Sequence, residues 1–231
     1  MSVDGTPHAV NKRNPSRPQL TTPCQLSSGD DPPARRPEGR NAERDFRGEK
    51  RSNQTHASTT DPDARLARKS NNTAAILAYA GHVLMENRHG LVAQEHLTHA
   101  TGRAEREAAL VLLDRQSGGC TLGADRGYDT QGFVEAVVAR GMAPHIARDI
   151  HASKTGRLRH SAVPEAVTRT EGYLASQRIR KRIEEVFGWI KPSAGLRQTR
   201  HRGIARVAAV FSLAATAYNL IRLPKLLAQP A

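Results

Sequence analysis

The sequence predicts an α/β domain, and three observations carry that reading. Residues 120–124 (CTLGA) and 143–147 (APHIA) are short apolar runs separated by the amphipathic stretch 130–140 (TQGFVEAVVAR). Strand, helix, strand at this spacing is a βαβ unit with parallel strands. Before it, the apolar runs 74–86 (AAILAYAGHVLME) and 91–98 (LVAQEHLT) flank a turn at His89-Gly90, which predicts a β-hairpin. Finally, 231 residues with 38% hydrophobic content suffice for one domain plus tails, but not for a chain that is core throughout.

In chain order, residues 1–6 (MSVDGT) are a short apolar start that runs into Asp4-Gly5. Residues 7–40 are rich in Pro, Ser, Arg and Asp, with no period, and are expected to be disordered. Residues 41–69 are polar with mixed charge, so the segment 7–72 as a whole reads as loop or disorder, and regular structure begins near Thr73. After the hairpin, residues 103–115 (RAEREAALVLLDR) repeat at helical spacing, with Ala104, Ala108, Val111 and Leu112 on the inner face. Gly118-Gly119 ends that helix and the βαβ unit follows. Asp125 stands at the carboxyl end of its first strand, where open α/β sheets place ligands. Residues 148–172 are basic, poor in apolar side chains and expected to form a loop or arm. A helix over 177–190, a basic connection over 192–202 and a long apolar helix over 203–227 complete the chain, with Pro224 expected to kink or end the last helix.

Composition narrows the partners. Lys+Arg 35 against Asp+Glu 22 gives a net charge of +13, which favours a polyanion, most often nucleic acid. Residues 148–202 hold 13 Lys+Arg and 5 Asp+Glu, so the excess is concentrated there. Two cysteines, Cys24 and Cys120, with no CxxC, exclude a disulfide framework and a cysteine zinc site. The histidines, among them His82, His89, His96 and His99, have no recognised metal-ligand spacing. The start of the chain lacks the apolar run of a signal peptide. The apolar stretch 204–223 is interrupted by Arg206, Asn219 and Arg222, so a buried core helix and a cytoplasmic protein are expected, with no membrane partner.

The stretch 176–191 (SQRIRKRIEEVFGWIK) is the most informative. On a helical projection Ile179, Ile183, Val186, Phe187 and Ile190 fill one arc of roughly 100°. Gln177, Arg180, Glu184 and Lys191 share a stripe about 60° wide at its edge, while Glu185 points away among cations. An ordinary basic amphipathic helix with an i,i+4 pair between Arg180 and Glu184 accounts for the same pattern. A carboxylate at a strand end and another on a later helix are also the ingredients of a magnesium site for phosphoryl transfer. That chemistry needs a third, bridging carboxylate.

Residues 121–133 (TLGADRGYDTQGF) and 176–203 (SQRIRKRIEEVFGWIKPSAGLRQTRHRG) resemble the DDE transposases of bacterial insertion sequences. Residues 39–69 and 79–92 (YAGHVLMENRHGLV) are similar to the same family, and the resemblance covers most of 39–225. The family's helical motif, Arg, three residues, Glu, six residues, Lys, falls on Arg180, Glu184 and Lys191. The resemblance implies a ribonuclease H-like mixed sheet flanked by helices over 73–227, with 1–6 as a remnant of its first strand. It implies a catalytic, metal-binding trio of Asp4, Asp125 and Glu184. Asp4 is placed by Val3-Asp4-Gly5-Thr6, which matches the family's opening strand. The implied reaction is Mg²⁺-dependent cleavage and strand transfer at transposon ends, with Mn²⁺ able to substitute. Water attacks first, then a 3′-hydroxyl. Arg180 and Lys191 would hold phosphates, and Arg197, Arg200 and Arg202 would bind DNA. The implied partners are transposon ends and target DNA, with a homodimer on the DNA, at a bacterial nucleoid.

The sequence departs from the family pattern in three places. Only three residues precede Asp4, so the first strand is expected to be nearly absent and the chain a truncated copy. The stretch after Thr6 is unlike the family. Gln177 stands where the family has a Tyr, three residues before the Arg. A non-catalytic DNA-binding remnant and a stand-alone metal-dependent nuclease are the alternative readings.

Overall fold

A computed structural model of the chain describes residues 2–10 (as backbone), 52–54, 57–68, 74–150 and 159–228. Of the disorder expected over 7–40, residues 7–10 are strand instead, and residues 11–40 lie outside the described residues. The strands are β1 (Ser2–Val10), β2 (Arg65–Ala67), β3 (Ile76–Glu86), β4 (Leu91–His99), β5 (Thr121–Ala124), β6 (Ala143–Ile146) and β7 (Gln198–Thr199). The helices are α1 (Ala104–Leu113), α2 (Gln131–Ala139), α3 (Glu165–Thr168), α4 (Glu171–Ile179), α5 (Ile183–Ile190) and α6 (Ile204–Leu227).

All seven strands form one mixed sheet, with β2, β3, β1, β5 and β6 in that order. β4 pairs with β3 and β7 with β1. β1 is antiparallel to β3 and parallel to β5, and β5 is parallel to β6. This is the ribonuclease H-like arrangement of a hairpin edge joined through a central first strand to a parallel βαβ unit. The hairpin and the βαβ unit fall where the sequence places them.

β3 is buried on both faces because both are apolar. Tyr79, Val83 and Met85 pack with Ile183, Val186, Phe187 and Ile190 of α5 and with Phe211 and Tyr218 of α6. Leu84 packs on the opposite side with Leu112 of α1, Leu122 and Ala124 of β5, and Phe133 and Val137 of α2. The sheet is therefore a middle layer, with α1 and α2 on one face and α5 and α6 on the other. Each fully buried side chain of the α5 stripe contributes about 1.5–3 kcal/mol. Ala78 and Ala80 are small where Ala104 approaches, so α1 lies close to the strand.

Several expectations are corrected. The first strand does not stop at Thr6. It runs to Val10, and Asp4 through Ala9 lie opposite Val83 through Ala78. The strand is not nearly absent either, because residues after Asp4 supply the pairing that the few before it cannot. The basic region 148–172 is not all loop. It contains α3, and α4 starts at Glu171. Thr170 caps α4, its Oγ1 accepting the Tyr173 N–H at 3.2 Å, with Glu171 in the first turn. That cap was the legible signal. The single helix over 177–190 is broken by a 3-10 turn at Arg180–Arg182. α6 is not a buried core helix. Val207, Phe211, Ala214, Ala215 and Tyr218 are buried on one side, and Leu213, Leu220 and Leu227 are exposed on the other. By length and composition α6 could cross a membrane. It is instead laid against β4, where Asn219 both accepts from the Val92 N–H and donates to its carbonyl, each at 2.8 Å. Pro224 lies inside α6, which continues to Leu227.

Candidate active site

Asp125 follows β5 directly. Its backbone is still extended, and its Oδ1 accepts the Gly127 N–H at 2.8 Å, opening a short 3-10 turn over Arg126–Tyr128. A Cβ at Gly127 would stand 3.0 Å from that oxygen, so glycine leaves the carboxylate its space. Leu122 and Ala124 face α1 and α2. By the two-residue alternation of a strand, Asp125 belongs to the other face, the one that carries α5. Its side chain is exposed.

The second acid of the same motif behaves differently. Asp129 accepts the Asp149 N–H at 2.7 Å and the Ala162 N–H at 2.8 Å, one on each carboxylate oxygen. Asp129 is a structural clamp on the loop after β6, and Asp125 is the acid left to meet solvent.

Glu184 sits in the first turn of α5 and is exposed, with no ion pair among the described residues. The anticipated pair between Arg180 and Glu184 does not form there. Arg180 instead donates from Nε to Gln177 Oε1 at 2.9 Å. The 3-10 turn explains the difference, because it breaks the α-helical spacing that would bring positions i and i+4 together. The neighbouring Glu185 is turned to α6, 3.3 Å from Arg222 Nη1. Of the two adjacent glutamates, Glu184 is the one without a cationic partner among the described residues.

The level of Glu184 along the sheet is set by its neighbour Arg182, which donates to the carbonyls of Asn87 at 3.1 Å and Arg88 at 2.8 Å. These residues follow Met85, which pairs with Ser2. The start of α5 is thus tied to the Ser2 end of β1, and α5 packs along that strand. Ser2 also pairs with Gly123 of β5. Two residues on in each parallel chain are Asp4 and Asp125, which brings the two positions level. Asp4 occupies the register position opposite Val83, a residue of the α5-facing core. Among the described residues no three acidic, histidine or cysteine side chains gather into a metal-binding group, and the side chain of Asp4 is not among those described.

The basic residues are spread more widely than the sequence motif suggests. Arg180 is half-buried beside Gln177, whose Nε2 donates to the His145 carbonyl at 2.6 Å. Sequence reading missed this anchoring role of Gln177, as well as the contact of His145 Nδ1 with Ser176 Oγ at 2.8 Å. Burial lowers the His145 pKa below the ordinary imidazole value. Lys191 closes α5, and its carbonyl accepts the Arg197 N–H at 3.0 Å. Arg197, Arg200 and Arg202 are exposed and flank β7, which runs beside Ala9 and Val10. Ala9 is five residues along β1 from Asp4, about 16 Å at 3.3 Å per residue. These three arginines are therefore distant from the acidic positions.

The model of the transposase DDE domain family matches residues 46–220. Comparison with curated proteins and with solved structures gives no match. The fold and the family match define a transposase of the DDE type. The chain belongs to the DDE transposase family, whose business is DNA transposition and recombination. The matched span contains Asp125, Glu184 and all five basic residues, and Asp4 lies before it.

Proposed function

We propose that the chain cleaves and joins DNA at insertion-sequence ends in a Mg²⁺-dependent reaction, with Asp4, Asp125 and Glu184 as the catalytic, metal-binding carboxylates. The observation that carries this reading is the common level and common sheet face of three chain positions. Asp4 and Asp125 are level on adjacent parallel strands, and Glu184 enters from the helix tied to the same end. The donor set fits magnesium, since carboxylate oxygens are hard ligands and Asp125 and Glu184 are exposed. When bound, Mg²⁺ would activate the attacking oxygen and stabilise the leaving one. Mn²⁺ offers a similar oxygen-seeking ion.

The protein's own part is to hold and orient. Asp125 is kept in place by the Gly127 N–H, and Glu184 by the α5 stripe beneath it. Arg180, steadied by Gln177, supplies a cation for a phosphate near the cut. Arg197, Arg200 and Arg202 would meet the duplex about five base pairs away, given ~3.4 Å per base pair. The family reading further implies a homodimer on the DNA.

A non-catalytic DNA-binding role is the second reading. It is favoured by a family match that begins at residue 46, after Asp4. Nicking of a supercoiled plasmid carrying the element's end separates the two. Nicking that needs Mg²⁺ or Mn²⁺ and is abolished in Asp125→Asn and Glu184→Gln supports catalysis. Binding without nicking supports the second reading.

A further inference from the structure

Arg148, just after β6, is a half-buried arginine that the site described above does not use. Its Nε–H is buried and has no hydrogen-bond partner. A buried donor without a partner costs stability, so a fold that keeps one offers it to something that binds later. The backbone around it is held from both sides. Ala147, before it, donates its N–H to the Ala124 carbonyl at 3.0 Å, and Asp149, after it, donates to Asp129 Oδ2 at 2.7 Å. Ala124 directly precedes Asp125, so Arg148 and Asp125 leave the adjacent parallel strands β6 and β5 at about the same level. The carboxylates beside Arg148 are engaged elsewhere. Asp129 spends both oxygens on backbone N–H groups, and Asp149 pairs with Arg159.

A second cation faces the same spot. The Tyr173 hydroxyl is fixed there, donating to the Ile146 carbonyl at 3.1 Å. Burial raises its pKa, and Arg148 and Arg180 both oppose that rise, so both cations lie within electrostatic reach of one hydroxyl. Arg180 already gives its Nε–H to Gln177, whereas Arg148 keeps its own. Of the two guanidinium groups, Arg148 is the one whose Nε edge is whole.

We propose that Arg148 receives a backbone phosphate of the DNA strand lying at Asp125, in a forked contact through Nε and an Nη, with Arg180 as the second cation. The inference rests on the DNA-cleaving reading above and adds to it the residue that seats the strand. A phosphodiester oxygen satisfies the orphan Nε–H, and two parallel N–H···O bonds fix the orientation of the strand as well as its charge. Lysine brings the charge without the fork. Arg197, Arg200 and Arg202 lie on a separate surface, so Arg148 accounts for one phosphate of the total.

The test is filter binding of the full chain to a short mixed-sequence duplex in EDTA, beside urea melts of the same variants. Arg148→Met keeps much of the stem and removes the orphan donor. It should weaken binding at least fivefold and make the slope of log K against log salt shallower by about 0.9, with a urea midpoint equal to or above the parent's. Arg148→Lys should restore the slope but less than half of the lost affinity on a logarithmic scale. Arg178→Met, which removes an exposed cation of α4, should change affinity less than twofold. Parent-like binding by Arg148→Met overturns the proposal. So does a lowered midpoint in Arg148→Met that Arg148→Lys restores together with binding, which makes the residue a structural cation, or a parent chain that binds no duplex. Because EDTA removes the metal, the measurement stands whether or not the chain nicks DNA, and its failure leaves the roles of Asp125 and Glu184 to the nicking assay.

Discussion

Gln177 holds Arg180. Its Oε1 accepts the Arg180 Nε–H at 2.9 Å, while its Nε2 donates to the His145 carbonyl at 2.6 Å. One amide thus ties α4 to the sheet and orients the first cation of the helical motif. Gln177→Ala removes both bonds and should cost about 1–2 kcal/mol. The readout is a lower urea midpoint with an unchanged slope. Unaltered stability would mean that the amide is only decorative.

Two aspartates four residues apart should fail in opposite ways. Asp129 accepts two backbone N–H groups, so Asp129→Ala should destabilise the fold by about 2–3 kcal/mol. Asp125 accepts one N–H at an exposed position, so Asp125→Asn should stay within about 1 kcal/mol of the parent while losing nicking. Urea melts and the plasmid assay on the two variants check this. Equal stability losses would contradict the division of labour.

Stability should fall on acidification in a way that involves His145. Burial lowers its folded pKa, so the folded state binds fewer protons than the unfolded one. The contribution is therefore full above the ordinary imidazole value of about 6.5 and is lost as the pH falls through the lowered folded value. His96, lowered by burial and then by Arg115, adds in the same direction. In urea melts at pH 8 and pH 5, His145→Gln should shrink the difference between the two. A difference of the parent size would assign the loss elsewhere.

DNA affinity should depend steeply on salt, through exposed arginines rather than the acidic end. Each phosphate that the protein ceases to neutralise makes the slope of log K against log salt shallower by about 0.9. Replacing Arg197, Arg200 and Arg202 together with Gln should reduce it by up to about three and weaken binding to every duplex alike. An unchanged slope in a filter-binding titration would place the DNA on another surface.

Much of the fold was legible because its signals are local. The turn at His89-Gly90, the stop at Gly118-Gly119 and the apolar runs of β5 and β6 each announce themselves within a few residues. What was missed depends on distant partners. β1 extends to Val10 because β3 and β7 lie alongside, and nothing in residues 7–10 themselves reads as strand. The 3-10 turn at Arg180–Arg182 ends on Arg182, whose side chain reaches the hairpin carbonyls of Asn87 and Arg88, ninety-odd residues back. The projection of residues 176–191 selected Glu184 over Glu185, and in the fold Glu185 is the one engaged by Arg222. The clamp at Asp129 has no local signal, since its two donors, the Asp149 and Ala162 N–H groups, come from the segment 148–172, which reads from the sequence only as a loop or arm.

The proposed hold of Glu184, together with Asp125 and Asp4, on a divalent ion is measured most directly by Mn²⁺ binding, followed by the loss of its free-ion paramagnetic resonance signal. Glu184→Gln should weaken Mn²⁺ affinity by at least about tenfold, by the loss of one hard ligand. Glu185→Gln, one residue along and paired with Arg222, should bind like the parent. Equal Mn²⁺ affinity in the parent and in Glu184→Gln, or weakening confined to Glu185→Gln, would contradict the assignment.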